Sequence, residues 1–208
     1  RGSLFLLLSL ALTPGCSSSF EAQVPISETA DPANVEQLVV RTPLGSVDIS
    51  TDLTDQIRIT GFRISHGSSP GEADANAKKV AVNIGPDPAR AGVLRIDVVA
   101  PDELRGLSSG AKLIIAVPKA LAVDVQTSNG SIHVGKMRGP CTLVSSLGSI
   151  VAEDIDGAIT LKSGNGSLSA KSITGDVAAE TNLGAISLRS ITGECRLETS
   201  NGAIVFEG

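Results

Sequence analysis

Apolar and polar residues alternate through the second half of the chain, and glycine recurs every nine residues within that alternation. Apolar residues such as Ile132 and Val134 lie two and four positions after a glycine, with mostly polar residues between them. One apolar and one polar face along a short segment is typical of a β-strand. The fixed period predicts a stacked array of strands and turns. The glycines form an unbroken series: Gly130, Gly139, Gly148, Gly157, Gly166, Gly175, Gly184, Gly193 and Gly202.

The nine-residue units are of two alternating kinds, so the true period is 18 residues. One kind opens on a turn such as Asn129-Gly130, where both residue types tolerate positive φ. The other opens on an apolar residue, as at Ile155 and Ile173. Two strands per 18-residue rung predict an all-β fold, a flattened β-solenoid over residues 118–208 with equivalent residues stacked about 4.8 Å apart. An up-and-down antiparallel sandwich is the alternative, because nine-residue spacing also suits hairpins.

Strand-like alternation also precedes the array. Residues 35–117 are predicted to form an N-terminal β meander that caps the solenoid, because bare strand edges invite aggregation; cap and solenoid could also count as one domain, 35–208. Within the cap, residues 42–49 resemble one repeat unit and residues 72–79 are a candidate short helix. At the other end, Phe206 replaces the smaller residues of its column, and we expect it to plug the open core.

The beginning of the chain has the pattern of an export signal. Residues 4–12 are an apolar run of signal-peptide length, too short to span a membrane. The run ends at Cys16 in a sequence similar to a bacterial lipobox. We therefore expect a signal peptide over residues 1–16, a lipid on Cys16 and a flexible tether over residues 17–34. The alternative is an ordinary secretory signal with an incidental cysteine, because Thr13 stands where a lipobox prefers leucine.

The two other cysteines, Cys141 and Cys195, are predicted to remain free. They occupy the same column of the array, three 18-residue rungs apart. Three rungs are roughly 14 Å at about 4.8 Å per step, whereas a disulfide needs Cα atoms within about 7 Å. Both are therefore expected to be inward-facing core thiols.

Composition limits the classes of partner. The net charge of −5 disfavours a nucleic-acid partner. The chain has no Trp or Tyr and only four Phe, so it can barely build the aromatic platforms that carbohydrate and single-strand sites use. Calcium-binding β-rolls place an Asp in nearly every turn, whereas these turns carry Ser, Asn, Leu and Thr. We predict no metal and no cofactor.

Two sets of outward residues are candidates for function. His133 lies beside Ser131, but a Ser–His pair without a positioned acid is a weak catalytic signal, and no catalytic residue is predicted. Four acidic residues are expected on one outward face beside Lys162 and Arg196. They form either an interaction patch for a cation or a basic partner, or a solvated face of mixed charge. The four are Asp176, Glu180, Glu194 and Glu198. On the opposite sheet, a column of alternating charge is expected from Glu153, Lys171, Arg189 and Glu207.

Several segments together carry a family resemblance. They are Leu-Gly-Ser-Val-Asp-Ile at 44–49, Leu-Arg-Ile-Asp-Val at 94–98, Ile-Ile-Ala-Val-Pro at 114–118 and Thr-Ser-Asn-Gly-Ser-Ile at 127–132. Over residues 35–208 the chain resembles the bacterial adhesin-like β-strand-repeat proteins. The resemblance implies an exported β-solenoid without catalytic residues.

We therefore expect a lipid-anchored cell-envelope protein, a binding or adhesin-like module that contacts an unidentified envelope or surface macromolecule. A periplasmic envelope-stress or regulatory partner protein is the alternative. A polysaccharide-active enzyme is a third.

Overall fold

The computed structural model describes residues 19–51 and 56–208. Within these residues the chain forms 17 strands, one α-helix and a single 3-10 turn. The elements are β1 (Phe20–Ala30), β2 (Gln37–Leu44), β3 (Val47–Thr51), β4 (Ile57–Gly67), α1 (Pro70–Lys79), β5 (Ala81–Pro86), β6 (Val93–Val99), the turn Asp102–Leu104, β7 (Gly110–Val117), β8 (Ala122–Asn129), β9 (Ile132–Gly135), β10 (Cys141–Leu147), β11 (Ile150–Asp156), β12 (Ile159–Asn165), β13 (Leu168–Thr174), β14 (Val177–Leu183), β15 (Ile186–Thr192), β16 (Cys195–Asn201) and β17 (Ile204–Glu207).

The strands lie in two sheets around a common core. Sheet A has the order β1-β4-β7-β3-β9-β11-β13-β15-β17, and sheet B has the order β16-β14-β12-β10-β8-β2-β6-β5. From β8 onward each strand pairs in parallel with the strand two places later, at a constant offset of 18 residues, as for Cys141, Ile159 and Val177. One rung therefore contributes one strand to each sheet. The β-solenoid prediction is confirmed, because the antiparallel sandwich would pair consecutive strands.

The N-terminal half continues both sheets. Strand β2 pairs in parallel with β8, and β3 pairs in parallel with β9, so Leu38 aligns with Val123 and Val47 with Ile132. The resemblance of residues 42–49 to a repeat unit is thus a structural equivalence. Strands β6 and β7 form the next layer outward, and the antiparallel strands β5, β4 and β1 close this end. The sheets pass residue 118 without a break.

Residues 20–30, which the sequence predicted to be a flexible tether, instead form β1. This strand pairs antiparallel with β4 over its whole length, from Phe20 opposite Gly67 to Ala30 opposite Ile57. The physical reason is a period of two hidden in a polar composition, because Ala22, Val24 and Ile26 turn inward between exposed residues. The tether prediction was wrong for this segment.

Helix α1 covers the inner face of the closed end. Ser69 caps it by accepting a hydrogen bond from the Glu72 backbone N–H, and Pro70 stands at the helix start, where its missing N–H costs nothing. Ala73 and Ala77 are fully buried, and the helix packs against β4 and β1. The helix expected over residues 72–79 is confirmed, beginning two residues earlier.

The two corners of each rung are built differently, and this difference explains the 18-residue period. At one corner a buried hydroxyl donates to a glycine carbonyl 15 residues earlier, in the preceding rung, as from Ser163 Oγ to Gly148 O at 3.0 Å. At the other corner a non-glycine residue adopts a left-handed conformation, as Ser172 does at φ 55°. That residue turns outward, and the next one, Ile173, enters the core. The hydroxyl is repeated at Ser145, Thr181 and Thr199, and the left-handed residue at Lys136, Asp154 and Ser190.

Glycines stack directly on one another at the hydroxyl corner. A Cβ at Gly166 would overlap the carbonyl oxygen of Gly148, and one at Gly148 would overlap that of Gly130. Only a residue without a side chain allows neighbouring rungs to approach this closely. The glycine series is therefore a consequence of the strand spacing.

The last rung is open to solvent. Phe206 is 52% exposed, and Ile204 and Cys195 are exposed although both occupy inward columns. No described strand pairs beyond β16 and β17, so nothing there covers these columns. The prediction that Phe206 plugs the core was wrong. Cys141 is a buried core thiol as expected, but Cys195 is not.

Replacing Gly166 by alanine is expected to lower the free energy of unfolding by roughly 3 kcal/mol, because the new Cβ meets rigid backbone of the neighbouring rung. Urea unfolding followed by circular dichroism measures the change. Gly71→Ala is the control, since a Cβ at Gly71 meets nothing within 4 Å. Equal effects of the two substitutions would contradict the stacking argument.

Replacing Ser163 by alanine is expected to cost about 1–2 kcal/mol of stability, because the Gly148 carbonyl loses its hydroxyl donor inside the stack. Ser163→Thr keeps the donor and matches Thr181 in the next rung, so it should leave the urea midpoint nearly unchanged. A threonine variant as unstable as the alanine variant would show that the hydroxyl is not the cause.

Candidate functional site

The four acidic residues of the predicted patch lie at the outward side of sheet B, towards its open end. Glu180 on β14 and Glu198 on β16 are exposed register partners. Asp176 and Glu194 precede the same two strands, and the Asp176 Oδ1 accepts a hydrogen bond from the Glu194 backbone N–H at 3.0 Å. The register thus brings the residues together as two pairs.

Basic side chains interrupt this acidic surface. Lys162 Nζ lies 2.7 Å from Glu180 Oε2. The hydrogen bond and charge of Lys162, with a smaller contribution from Arg196, hold the pKa of Glu180 below its usual value. Arg196 lines the shallow depressions beside both acidic pairs, about 260 and 250 Å³ in volume. Among the described residues no three His, Cys, Asp or Glu side chains are grouped to hold a metal ion. The surface is therefore one of mixed charge.

The outward face of sheet A carries the expected charged column. Glu153, Lys171, Arg189 and Glu207 are register partners on successive strands. Arg189 Nε lies 2.8 Å from Glu207 Oε2. Opposite charges across neighbouring strands stabilise a sheet modestly and disfavour shifted registers.

His133 has an acidic neighbour that sequence reasoning missed. Its Nδ1 lies 3.3 Å from Asp48 Oδ2, and both side chains are about half exposed. Asp48 is far away along the chain, but β3 pairs with β9 and places the two residues opposite each other. Aligning the repeat-like segment 42–49 one rung before residues 128–134 would have revealed the pair. It lies on an open sheet face as a cross-strand contact.

A larger cleft of about 520 Å³ opens at the closed end, between the end of β1 and the β5–β6 hairpin. Val35, Ile84 and Leu94 give it an apolar lining, and Glu28 and Asp31 lie along it. None of its described lining residues is Ser, Cys, His or Lys. The lining therefore lacks the usual groups for nucleophilic catalysis.

The two repeat thiols have different environments. Burial raises the pKa of Cys141 to about 12. The pKa of Cys195 is also raised, first by partial desolvation and then by the charge of Asp176, but its side chain is exposed. The thiols are free in the structure, as the column argument predicted.

The leader and its anchor lie outside the described residues. This applies to the signal peptide over residues 1–16 and to the lipidation of Cys16, which remain predictions. Elsewhere, over residues 19–51 and 56–208, no helix has the length and apolarity needed to cross a membrane.

Known proteins share the fold rather than the sequence. No protein-family model matches the chain, and no curated protein matches it. A putative cell adhesion protein from Clostridium sporogenes is similar in structure, with a TM-score of 0.56 at 9% identity, covering 89% of this chain and 99% of that one. A putative adhesin from Bacteroides fragilis aligns with a TM-score of 0.40 at 11% identity, over 89% of this chain and 98% of that one.

The comparison with the Clostridium sporogenes protein confirms the adhesin-like β-strand-repeat resemblance at the level of the fold. The class of protein is thus an all-β solenoid with a cap of mixed strands at its N-terminal end. Sequence identity this low transfers no residue roles. The candidate site must therefore be argued from the surface itself.

At about pH 8, iodoacetamide is expected to modify Cys195 readily and Cys141 only after unfolding, because the Cys141 thiol is buried and stays protonated. Peptide mapping by mass spectrometry after timed labelling, with and without urea, measures both sites in one sample. Rapid modification of Cys141 in the folded chain, or protection of Cys195 in the dilute monomer, would contradict the assigned burial.

Proposed function

We propose that this chain is an exported, lipid-anchored, non-catalytic binding module of the cell envelope, adhesin-like in its action. The observation that carries the proposal is the outward face of sheet B, a flat polar surface of parallel strands with paired and unpaired charges. The fold likeness to a cell adhesion protein supports the same role. The leader pattern around Cys16 supports export and anchoring.

The size of this face suits a macromolecular partner. From β6 to β16 it contains seven neighbouring strands, which span roughly 29 Å at about 4.8 Å per step. Strands of seven residues extend about 23 Å in the other direction. A surface of this extent approaches the roughly 800 Å² per partner that specific protein interfaces bury. A small molecule would need a concave pocket instead.

The distribution of charge favours a partner that carries basic groups. Glu180 is neutralised by Lys162, whereas Glu198 extends the same column without a cation in its register position. Asp176 and Glu194 add two carboxylates along the edge. Exposed charges of this kind steer association and select partners more than they supply affinity.

The proposal is tested by adding labelled chain to intact cells, and separately to envelope fragments, of the bacterium that produces it. Glu180→Lys reverses a charge in the middle of the face and should weaken binding about fivefold or more, because it also leaves Lys162 unpaired. Glu153→Lys on the opposite sheet is the control and should bind as the unaltered chain does. Both substitutions are on exposed or half-exposed positions.

Binding to intact cells supports an adhesin-like role, and binding to fragments alone supports an internal envelope partner. Absence of binding in both, or equal loss in the two variants, would overturn the assignment to sheet B. Retention of a Cys16→Ser variant in the membrane fraction would separately contradict the lipid anchor.

A further inference from the structure

The two ends of the double sheet are built in opposite ways. At the N-terminal end the outermost strands are β1 and β5, and each contains a proline, Pro25 and Pro86 respectively. Proline cannot donate to a ladder and is a common protection of edge strands. At the other end β16 and β17 contain no proline, and β17 exposes the apolar run Ile204-Val205-Phe206. Only the C-terminal end is left open to further pairing.

The free backbone groups of β16 follow from the ladder of the preceding rungs. In β14 the Val177 N–H points towards the next rung and donates to the Glu194 carbonyl at 2.8 Å. Cys195 is the register equivalent of Val177, so its backbone groups point away from β14. Because alternate residues share a direction, the same holds for Leu197 and Thr199. These residues present an open row of donors and acceptors.

We propose that a second copy of this chain covers the open end, with the two β16 strands pairing antiparallel about a two-fold axis through Leu197. Leu197 then faces Leu197, and Cys195 faces Thr199, as hydrogen-bonded pairs that use the free groups of the row. The same register places Arg196 of each copy opposite Glu198 of the other. A two-fold interface of this kind is self-complementary and closed.

Charge complementarity favours this occupant. Arg196 and Glu198 are exposed and would occupy non-hydrogen-bonded positions, where Cα atoms are about 4.5 Å apart and side chains contact closely. Two Arg–Glu pairs form per dimer. Glu198, now stacked beside the like charge of Glu180, gains an opposite charge. The apolar residues of β17 are brought against their own copies, and this removes apolar surface from water.

A head-to-tail arrangement is less favourable. It would place β16 or β17 against β1 or β5, where Pro25 and Pro86 interrupt the ladder. It would also generate an open filament rather than a closed pair. The antiparallel dimer is therefore the form that uses the open row and covers the open columns.

Sedimentation equilibrium over a range of concentrations tests the proposal, with circular dichroism as a check on folding. The unaltered chain is expected to be a dimer that dissociates on dilution. Arg196→Glu and Glu198→Arg each create two like-charge pairs and should raise the dissociation constant about fivefold or more. The double variant Arg196→Glu/Glu198→Arg restores both pairs and should return the constant to within about twofold of the original. Glu153→Lys is a matched control.

A chain that remains monomeric at all concentrations overturns the proposal. A dimer whose strength ignores both single reversals, or that the double variant fails to restore, overturns the register. Assembly into species larger than a dimer would instead indicate head-to-tail pairing and would equally contradict the two-fold arrangement. Binding by the outward face of sheet B is measured separately on Glu180, so the two proposals fail independently.

Discussion

The fold depends on one constraint, the close approach of successive rungs at the glycine corner. Each turn glycine lies against the carbonyl of the glycine before it, at a distance that no side chain would allow. Because the backbone contact fixes the spacing of the rungs, the inward columns align from strand to strand at an offset of 18 residues. The buried hydroxyls of Ser145, Ser163 and Thr181 then satisfy the corner carbonyls and hold neighbouring rungs together. The flatness of the outer faces is a consequence of this regular stacking.

The regular part of this architecture could be predicted from sequence because its signal is local and repeated. Spacing alone predicts the two strands per rung and a free Cys141. The left-handed corners are harder to predict, because Lys136, Asp154, Ser172 and Ser190 share no side-chain chemistry that marks their conformation. Composition was misleading for β1, where Ser, Pro and Glu occupy outward positions and conceal the inward residues Val24 and Ile26.

The remaining differences arise from long-range pairing. The contact of Asp48 with His133 exists because β3 lies beside β9, which no local pattern of either strand reveals. The exposure of Cys195 and Phe206 depends on what lies beyond the last described strands, whereas their inward register depends only on the repeat. A periodic sequence therefore predicts the orientation of a residue well and its burial poorly at the end of the array. The same holds for the candidate surface, since residue type predicts its charges but only the register places Lys162 against Glu180.

The constant 18-residue register has a consequence for how such a molecule changes through evolution. Each rung contacts little beyond its two neighbours, so an in-frame duplication of one rung would leave both ends and every existing contact type unaltered. The height of the molecule would grow by about 4.8 Å for each copy added. A single inserted residue, by contrast, would turn every following inward side chain outward. Lineages of such chains are expected to differ in length by whole rungs, with the unlike corners of each rung serving as the unit of inheritance.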